Sequence, residues 1–406
     1  MASPLTAISD HLLVEIFLLL PGPADLARAS ATCVSFRRLT TDGSFLRSFR
    51  RLHAPPLLGF LEPGRFHPTL QPHPSASAAH AFALAADLSF SFLPSHCRWT
   101  VQDIRDGRVL LHREPRKGEE PPVFRELAVC DPLHRRYVLL PPVPDDLAAS
   151  VEDPIPMVHR LQCKSSLVPL GDEETAAAEA TSYRVLWMTY SKTKLAAIVF
   201  SSSTGQWQVT ASNHWSDLVI GRGELTIMPY VQPIHLNLHC ACGCLYWDWL
   251  IIGTKKLLVL DTRRMEFSIT HLPPGEWSWN RTAIVEAGEG RLGVFGLDDE
   301  ISSHLRYTIA QNKGDSPSKC QMVKTISLES GYQYYIRDST ERYLLLTRTE
   351  EGFFHKYPRK NPLVEYFSMD VKTLQLQRVC AKQVKTMHFP LIYTNFPPSL
   401  LSCRTI

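Results

Sequence analysis

The sequence predicts an α+β multidomain chain: a small N-terminal helical unit followed by a large all-β, propeller-like domain. Three observations carry this. Apolar residues recur at helical spacing only near the start, short strand-like runs fill the chain from about residue 82, and one hairpin pattern returns about every fifty residues.

In the first stretch, Ile8, Leu12, Leu13, Ile16, Phe17 and Leu20 form one helical stripe, with Ser9 and Asp10 placed to cap and charge the first turn. Pro21, Gly22 and Pro23 stop that helix, and Pro23 opens a second with Asp25 in its first turn. Leu26, Ala29, Ser30, Cys33 and Val34 make a second stripe, and Phe36, Arg37, Leu39, Phe45 and Leu46 anchor a third helix. Three helices of about a dozen residues cannot bury this much apolar surface among themselves, so part of it is left for a partner. Asp10 and Glu15 within the apolar run, and a start, MASPLT, without a basic residue, argue against a secretory signal, and none is expected.

The order Asp10, Leu12-Leu13, Glu15-Ile16, Leu20-Pro21, Leu26, Arg28-Ala29, Cys33, Phe36, Arg37, Leu39, Phe45 resembles the F-box, by which substrate receptors dock on the Skp-type adaptor of cullin-RING ubiquitin ligases. The resemblance implies an adaptor-binding set of Ile8, Leu12, Leu13, Glu15, Ile16, Leu20, Pro21, Leu26, Cys33, Phe36 and Leu39. This chain has Ile8-Ser9 where the family opens with Leu-Pro, and Phe36 where it carries Trp.

Residues 1–50 are therefore assigned to the helical unit and 51–81 to a Pro-rich linker, since repeated prolines interrupt both helices and sheet ladders. Arg47, Arg50 and Arg51 at that border read as a solvated helix face. Residues 82–406 read as all-β, from runs such as RVLLHR, YRVLWMTYS, KLAAIVFSS, KLLVLDT, YLLLTRT and VEYFSMD. Within them an apolar strand, an Asp or Ser turn and a second strand recur near residues 129, 199, 259 and 368, with room for one further unit around Tyr307 to Leu328. Asp106-Gly107-Arg108-Val109-Leu110-Leu111, Val129-Cys130-Asp131-Pro132, Ser203-Thr204-Gly205-Gln206-Trp207 and Leu245-Tyr246-Trp247 resemble the F-box-associated, propeller-like domains of large plant families. The stretch 166–182, acidic and alanine-rich, reads as a solvent loop.

A net charge of +3 is too small to imply nucleic acid or membrane surface as a general partner, so neither is expected, and no run is long enough to span a bilayer. The ten cysteines are scattered, which suits reduced thiols in the cytoplasm or nucleus rather than a disulfide framework. Gly288-Glu289-Gly290-Arg291-Leu292-Gly293 spells a dinucleotide fingerprint, but strand-forming Val294-Phe295 follows where a helix is required, so a hairpin turn is expected. On a single strand Cys240, Cys242 and Cys244 would share a face with His239 opposite, and no second ligand pair accompanies them, so packing is expected rather than metal. Trp247, Trp249, Trp277 and Trp279 form two Trp-x-Trp pairs, each facing one side of a strand, read as core ahead of a recognition surface. There is no nucleophile-elbow pattern, and Asn280-Arg281-Thr282 is a glycosylation acceptor without secretory context.

Together with the resemblance, this implies a non-enzymatic substrate receptor of an SCF-type ligase, without cofactor, bound to a Skp-type adaptor and through it a cullin. The β domain would hold a target protein. The alternatives are a non-ligase propeller scaffold whose helical start has drifted from adaptor binding, and an all-β enzyme using the cysteines or a central cavity.

Overall fold

A computed structural model describes residues 8–53, 55–94, 97–116, 118–119, 122, 124–150, 165–168, 182–190, 194–218, 238–247, 256–272, 282–288, 290–297, 303–310, 320–350, 361–384 and 389–395. The chain divides into two compact units, Met1–Pro56 and Leu57–Ile406.

The first unit holds four short helices. α1 (Asp10–Leu18) begins on Ser9, whose hydroxyl accepts the Leu12 N–H at 3.4 Å, and α2 (Pro23–Thr32) opens on proline with Asp25 in its first turn. The expected third helix is two. α3 (Val34–Thr40) ends before Thr41-Asp42, and the Asp42 carboxylate caps α4 (Gly43–Leu52) by accepting the backbone N–H groups of Ser44 and Phe45 at 2.8 and 3.1 Å. Leu13, Phe17, Leu26, Phe45 and Phe49 form the core between them.

The second unit is a six-bladed β-propeller. Blade 1 has three strands: β1 (Leu57–Glu62), β2 (Arg65–Pro68) and the last described strand, β23 (Leu391–Thr394), which pairs antiparallel with β1 and closes the ring. The other five are four-stranded antiparallel meanders. Blade 2 comprises β3 (Trp99–Arg105), β4 (Arg108–Arg113), β5 (Leu127–Asp131) and β6 (Arg136–Leu139), and blade 3 comprises β7 (Ser165–Val168), β8 (Arg184–Tyr190), β9 (Lys194–Ser201) and β10 (Gln206–His214). Blade 4 comprises β11 (Leu238–Ala241), β12 (Cys244–Trp247), β13 (Lys256–Asp261) and β14 (Glu266–His271). β15 (Thr282–Glu286), β16 (Leu292–Leu297), β17 (His304–Ala310) and β18 (Cys320–Ser327) form blade 5. β19 (Tyr332–Ser339), β20 (Tyr343–Glu350), β21 (Leu363–Asp370) and β22 (Leu376–Gln383) form blade 6. Among the described residues three short helices, α5 (Ala76–Ala85), α6 (Asp145–Ala149) and α7 (Trp215–Leu218), lie in the connections.

The stretch 51–81 is not a linker. Its prolines fall before β1, in the β1–β2 turn, at the end of β2 and before α5, leaving Leu57–Glu62 free to form a fully buried strand. Gly59 is required there: a Cβ built on it would lie 2.1 Å from the His67 carbonyl oxygen, and its φ is +149°. The expected solvent loop at 166–182 likewise begins in β7, and its residues 169–181 lie outside the described residues.

The recurring hairpin is the outer pair of strands in each four-stranded blade: β5–β6, β9–β10, β13–β14, β17–β18 and β21–β22. Asp261 Oδ1 accepts the N–H groups of Arg263 and Arg264 at 2.8 and 2.9 Å, and Asp370 Oδ1 those of Lys372 and Thr373 at 2.9 and 3.0 Å. Four residues on, the chain turns left-handed at Arg135, Gly205, Met265 and Leu374, with φ of 54°, 70°, 55° and 57°.

The core is not one mass but a ring of seams, each shared by neighbouring blades. Leu110, Val129, Val185 and Trp187 fill the seam of blades 2 and 3, and Leu186, Ala197, Leu245 and Leu260 that of blades 3 and 4. Phe295, Leu305, Tyr334 and Leu344 fill that of blades 5 and 6. Backbone staples add to them. At a bulge in β3, Asp103 accepts the Ile104 N–H and, from blade 3, the Leu167 N–H, both at 2.8 Å. At the matching bulge in β19, Asp338 accepts the Ser339 N–H at 2.9 Å and the Ile392 N–H of β23 at 2.7 Å.

The closing seam carries a buried ion pair. Lys382 of β22 binds Glu62 of β1 and lies over the rings of Phe60 and Tyr366 at 5.4 and 5.1 Å, while the Tyr366 hydroxyl donates to Glu62 at 3.2 Å. Burial would raise the Glu62 pKa, but hydrogen bonds from His67 and Lys382 outweigh it and bring the value down to about 2 from the usual 4.5. A carboxylate more acidic when folded stabilises the fold above pH 4.5, and that contribution is lost as the pH falls towards 2. Glu62→Gln is expected to cost about 3 kcal/mol at pH 7. Denaturant unfolding at stepped pH should show the gap from the parent closing below pH 4.5.

Candidate functional site

The family resemblance directs attention to the helical unit, and the fold of α1 divides its apolar residues into two sets. Leu13 and Phe17, four apart, face the internal core, where Phe17 meets Phe36 edge to face at 4.9 Å. Leu12, Ile16 and Leu19, spaced four and three apart on another face, are 51%, 48% and 82% exposed. Val34, at the start of α3, is 84% exposed. Arg38 of α3 donates to Asp10 of α1 at 2.7 Å, and His53 Nε2 lies 2.8 Å from the Leu18 carbonyl oxygen, fixing α1 at both ends.

Of the residues expected to contact an adaptor, Leu12, Glu15, Ile16, Pro21 and Cys33 are exposed. Leu13 and Leu26 are core residues. Ile8, Leu20, Phe36 and Leu39 are half-buried against that core. Cys33 also has a local duty, its sulfur accepting the Phe36 N–H at 3.4 Å as the cap of α3. Leu19 and Val34, the two large apolar side chains among this unit's described residues that are more than four-fifths exposed, are not in the expected set. The signal was present: Leu18-Leu19-Leu20 is apolar all round a helix end, and a short helix among three others can bury only one stripe. Covering such side chains would contribute about 1.5–3 kcal/mol for each fully exposed one removed from water.

In the propeller, side chains from alternate blades meet at one end of the axis. Arg105 of blade 2 donates through Nη1 to Glu341, in the turn after β19 of blade 6, at 3.2 Å, and through Nε to the Leu167 carbonyl at 3.1 Å. Cys240 Sγ of blade 4 lies 3.7 Å from the same Glu341 oxygen, and His239 Nδ1 lies 3.0 Å from Ser339 Oγ of β19. These contacts span the axis.

The three cysteines do not share one strand face. Cys240 lies on β11, Cys242 in the tight turn with φ of 53°, and Cys244 on β12. Burial pushes the thiols of Cys240 and Cys242 up to about 12, so neither supplies a thiolate at neutral pH. Among the described residues, no group of three or more His, Cys, Asp or Glu is placed to hold a metal. The glycine-rich stretch is the hairpin between β15 and β16, as expected. Trp247 is buried between blades 3 and 4, while Trp249, Trp277 and Trp279 lie outside the described residues. No helix among the described residues is long and apolar enough to cross a membrane.

The F-box-like family model matches residues 10–51. The chain is thus a short F-box-like helical region followed by a six-bladed propeller. No curated protein sequence matches it. Among solved structures, it is similar to the periplasmic gluconolactonase PpgL of Pseudomonas aeruginosa, at 14% identity over 71% of this chain and 72% of that one, with a TM-score of 0.33. A putative TolB from Agrobacterium tumefaciens has 9% identity over 76% and 93% of the two chains, with a TM-score of 0.37. An oligogalacturonate lyase in complex with manganese has 11% identity over 72% and 69%, with a TM-score of 0.35. Likeness at this level carries no functional argument.

The division of α1 has a direct test. Phe17→Ala is expected to destabilise the helical unit by about 3–5 kcal/mol. Leu19→Asp should stay within about 0.5 kcal/mol. Amide hydrogen exchange across residues 10–52 of the full chain reads both.

Proposed function

We propose that this protein is the substrate-recognition subunit of an SCF-type, cullin-RING ubiquitin ligase. The F-box-like region docks on a Skp-type adaptor, which connects it to a cullin, and the propeller holds a target protein. The observation that carries this reading is the exposed stripe of Leu12, Ile16 and Leu19 within the residues matched by the family model, an apolar face that the unit's own core leaves unused.

In this reading the chain supplies no catalytic group. It acts by proximity, raising the effective concentration of the target near the ubiquitin-charged enzyme, in the cytoplasm or nucleus and without a cofactor. The likeness of the later motifs to F-box-associated domains supports a target-binding role for the propeller, whose loops can vary while the blade frame persists.

Binding of the purified full chain to a Skp-type adaptor tests the proposal. Ile16→Asp combined with Leu19→Asp is expected to weaken the complex at least a hundredfold, because two apolar contacts are replaced by desolvated charges. The two positions are better probes than Leu20 or Phe36, whose half-burial would mix folding with binding. A folded parent chain that forms no complex would sink the reading.

A further inference from the structure

One end of the seam between blades 2 and 3 is polar, buried and short of hydrogen-bond acceptors. On the blade 2 side, His112 shares the sheet face of Leu110, Thr100 lies opposite His112 in register, and Arg125, in the segment before β5, reaches His112. On the blade 3 side, Ser165 shares the face of Leu167 and is the register partner of Trp187. Phe124, next to Arg125, meets Trp187 edge-on at 5.8 Å, so the two sides touch. Ser165, Trp187, His112 and Arg125 are all buried.

One oxygen of the carboxylate beside these groups is already engaged, and the other does not reach them. Glu114 Oε1 takes the Thr100 hydroxyl at 2.7 Å and lies 3.1 Å from His112 Nε2, which is itself 2.9 Å from Arg125 Nη1. Glu114 Oε2 stands 3.9 Å from Arg125, too far for a hydrogen bond. Three buried polar groups remain without a protein partner: Arg125 Nε, Trp187 Nε1 and Ser165 Oγ. The first two can only donate, and the third donates equally well.

Three unpartnered donor groups beside an incompletely neutralised guanidinium call for an occupant that only accepts. A water molecule would bring two hydrogens of its own to a place already rich in donors. We infer that this seam binds a small monovalent anion, held by the Arg125 guanidinium, the Trp187 indole N–H and the Ser165 hydroxyl. Glu114, the most exposed of the charged members, marks its solvent side. The site belongs to the propeller frame and does not depend on the ligase reading.

Chloride is the probe. Thermal unfolding of the full chain in sodium chloride, against sodium gluconate at matched ionic strength, should show a saturable rise in midpoint with chloride alone. Ser165→Ala should raise the half-saturating chloride concentration roughly fivefold, the loss of one hydrogen bond. In gluconate the same variant should melt no lower than the parent, because it removes a hydroxyl that then has no partner. Trp187→Phe should weaken the chloride response in the same way, and a crystal soaked in bromide should show anomalous density between Arg125 and Trp187. Equal responses to the two salts, or an equal destabilisation by Ser165→Ala in both, which would mark water as the occupant, would overturn the inference.

Discussion

A blade of this propeller has no solvent face. Its central strands are buried on both sides, as in Leu127–Asp131 and Leu292–Leu297, where every residue is buried, so each sheet is stable only between two others. That requirement cannot be met in an open row, whose end blades would each expose an apolar face. Ring closure follows from it, and so do its devices: the β1–β23 pairing, the Asp338 staple onto Ile392, and the Lys382–Glu62 pair under Tyr366. An ion pair in that place costs desolvation, and it joins two strands distant in sequence across the closing seam.

The same two-sided burial explains which strands were legible. Second and third strands such as Val109–Leu111 or Leu195–Phe200 read as continuous apolar runs, and the outer hairpins carry their own turn chemistry, so the repeat and the fold class could be seen before the structure. Four inner strands, Ser165–Val168, Leu238–Ala241, Thr282–Glu286 and Leu391–Thr394, are only four or five residues long. Strands this short leave too few residues for a period to mark them. The longer Tyr332–Ser339 spends Asp338 on the staple to Ile392. Blade 1 was hidden differently: prolines that mark the ends of its strands resemble those of a flexible connection, and only the proline-free Leu57–Glu62 betrays a strand.

In the helical unit the sequence pattern located the surface but could not sort it. Helical spacing groups Leu12, Leu13, Ile16 and Leu20 in one broad stripe, whereas the packing of four helices draws a line through it, with Leu13 inside and Leu12 and Ile16 outside. The break at Asp42 decides where that line falls, because it turns α4 back so that Phe45 and Phe49 face Leu13 and Phe17. A capping aspartate before glycine is a readable signal, and it outweighs the continuous apolar anchors around it.

The strand that closes the ring is also the last described one, and this sets a clock on synthesis. At roughly 5–20 residues per second, a ribosome reaches β23 some quarter of a minute to a minute after β1 has emerged, so blade 1 waits that long for its inner strand. The four helices near the N-terminus are complete before any blade begins. A nascent chain therefore presents a finished helical unit while its propeller still has open seams, and its exposure to chaperones and proteases lasts until β23 arrives.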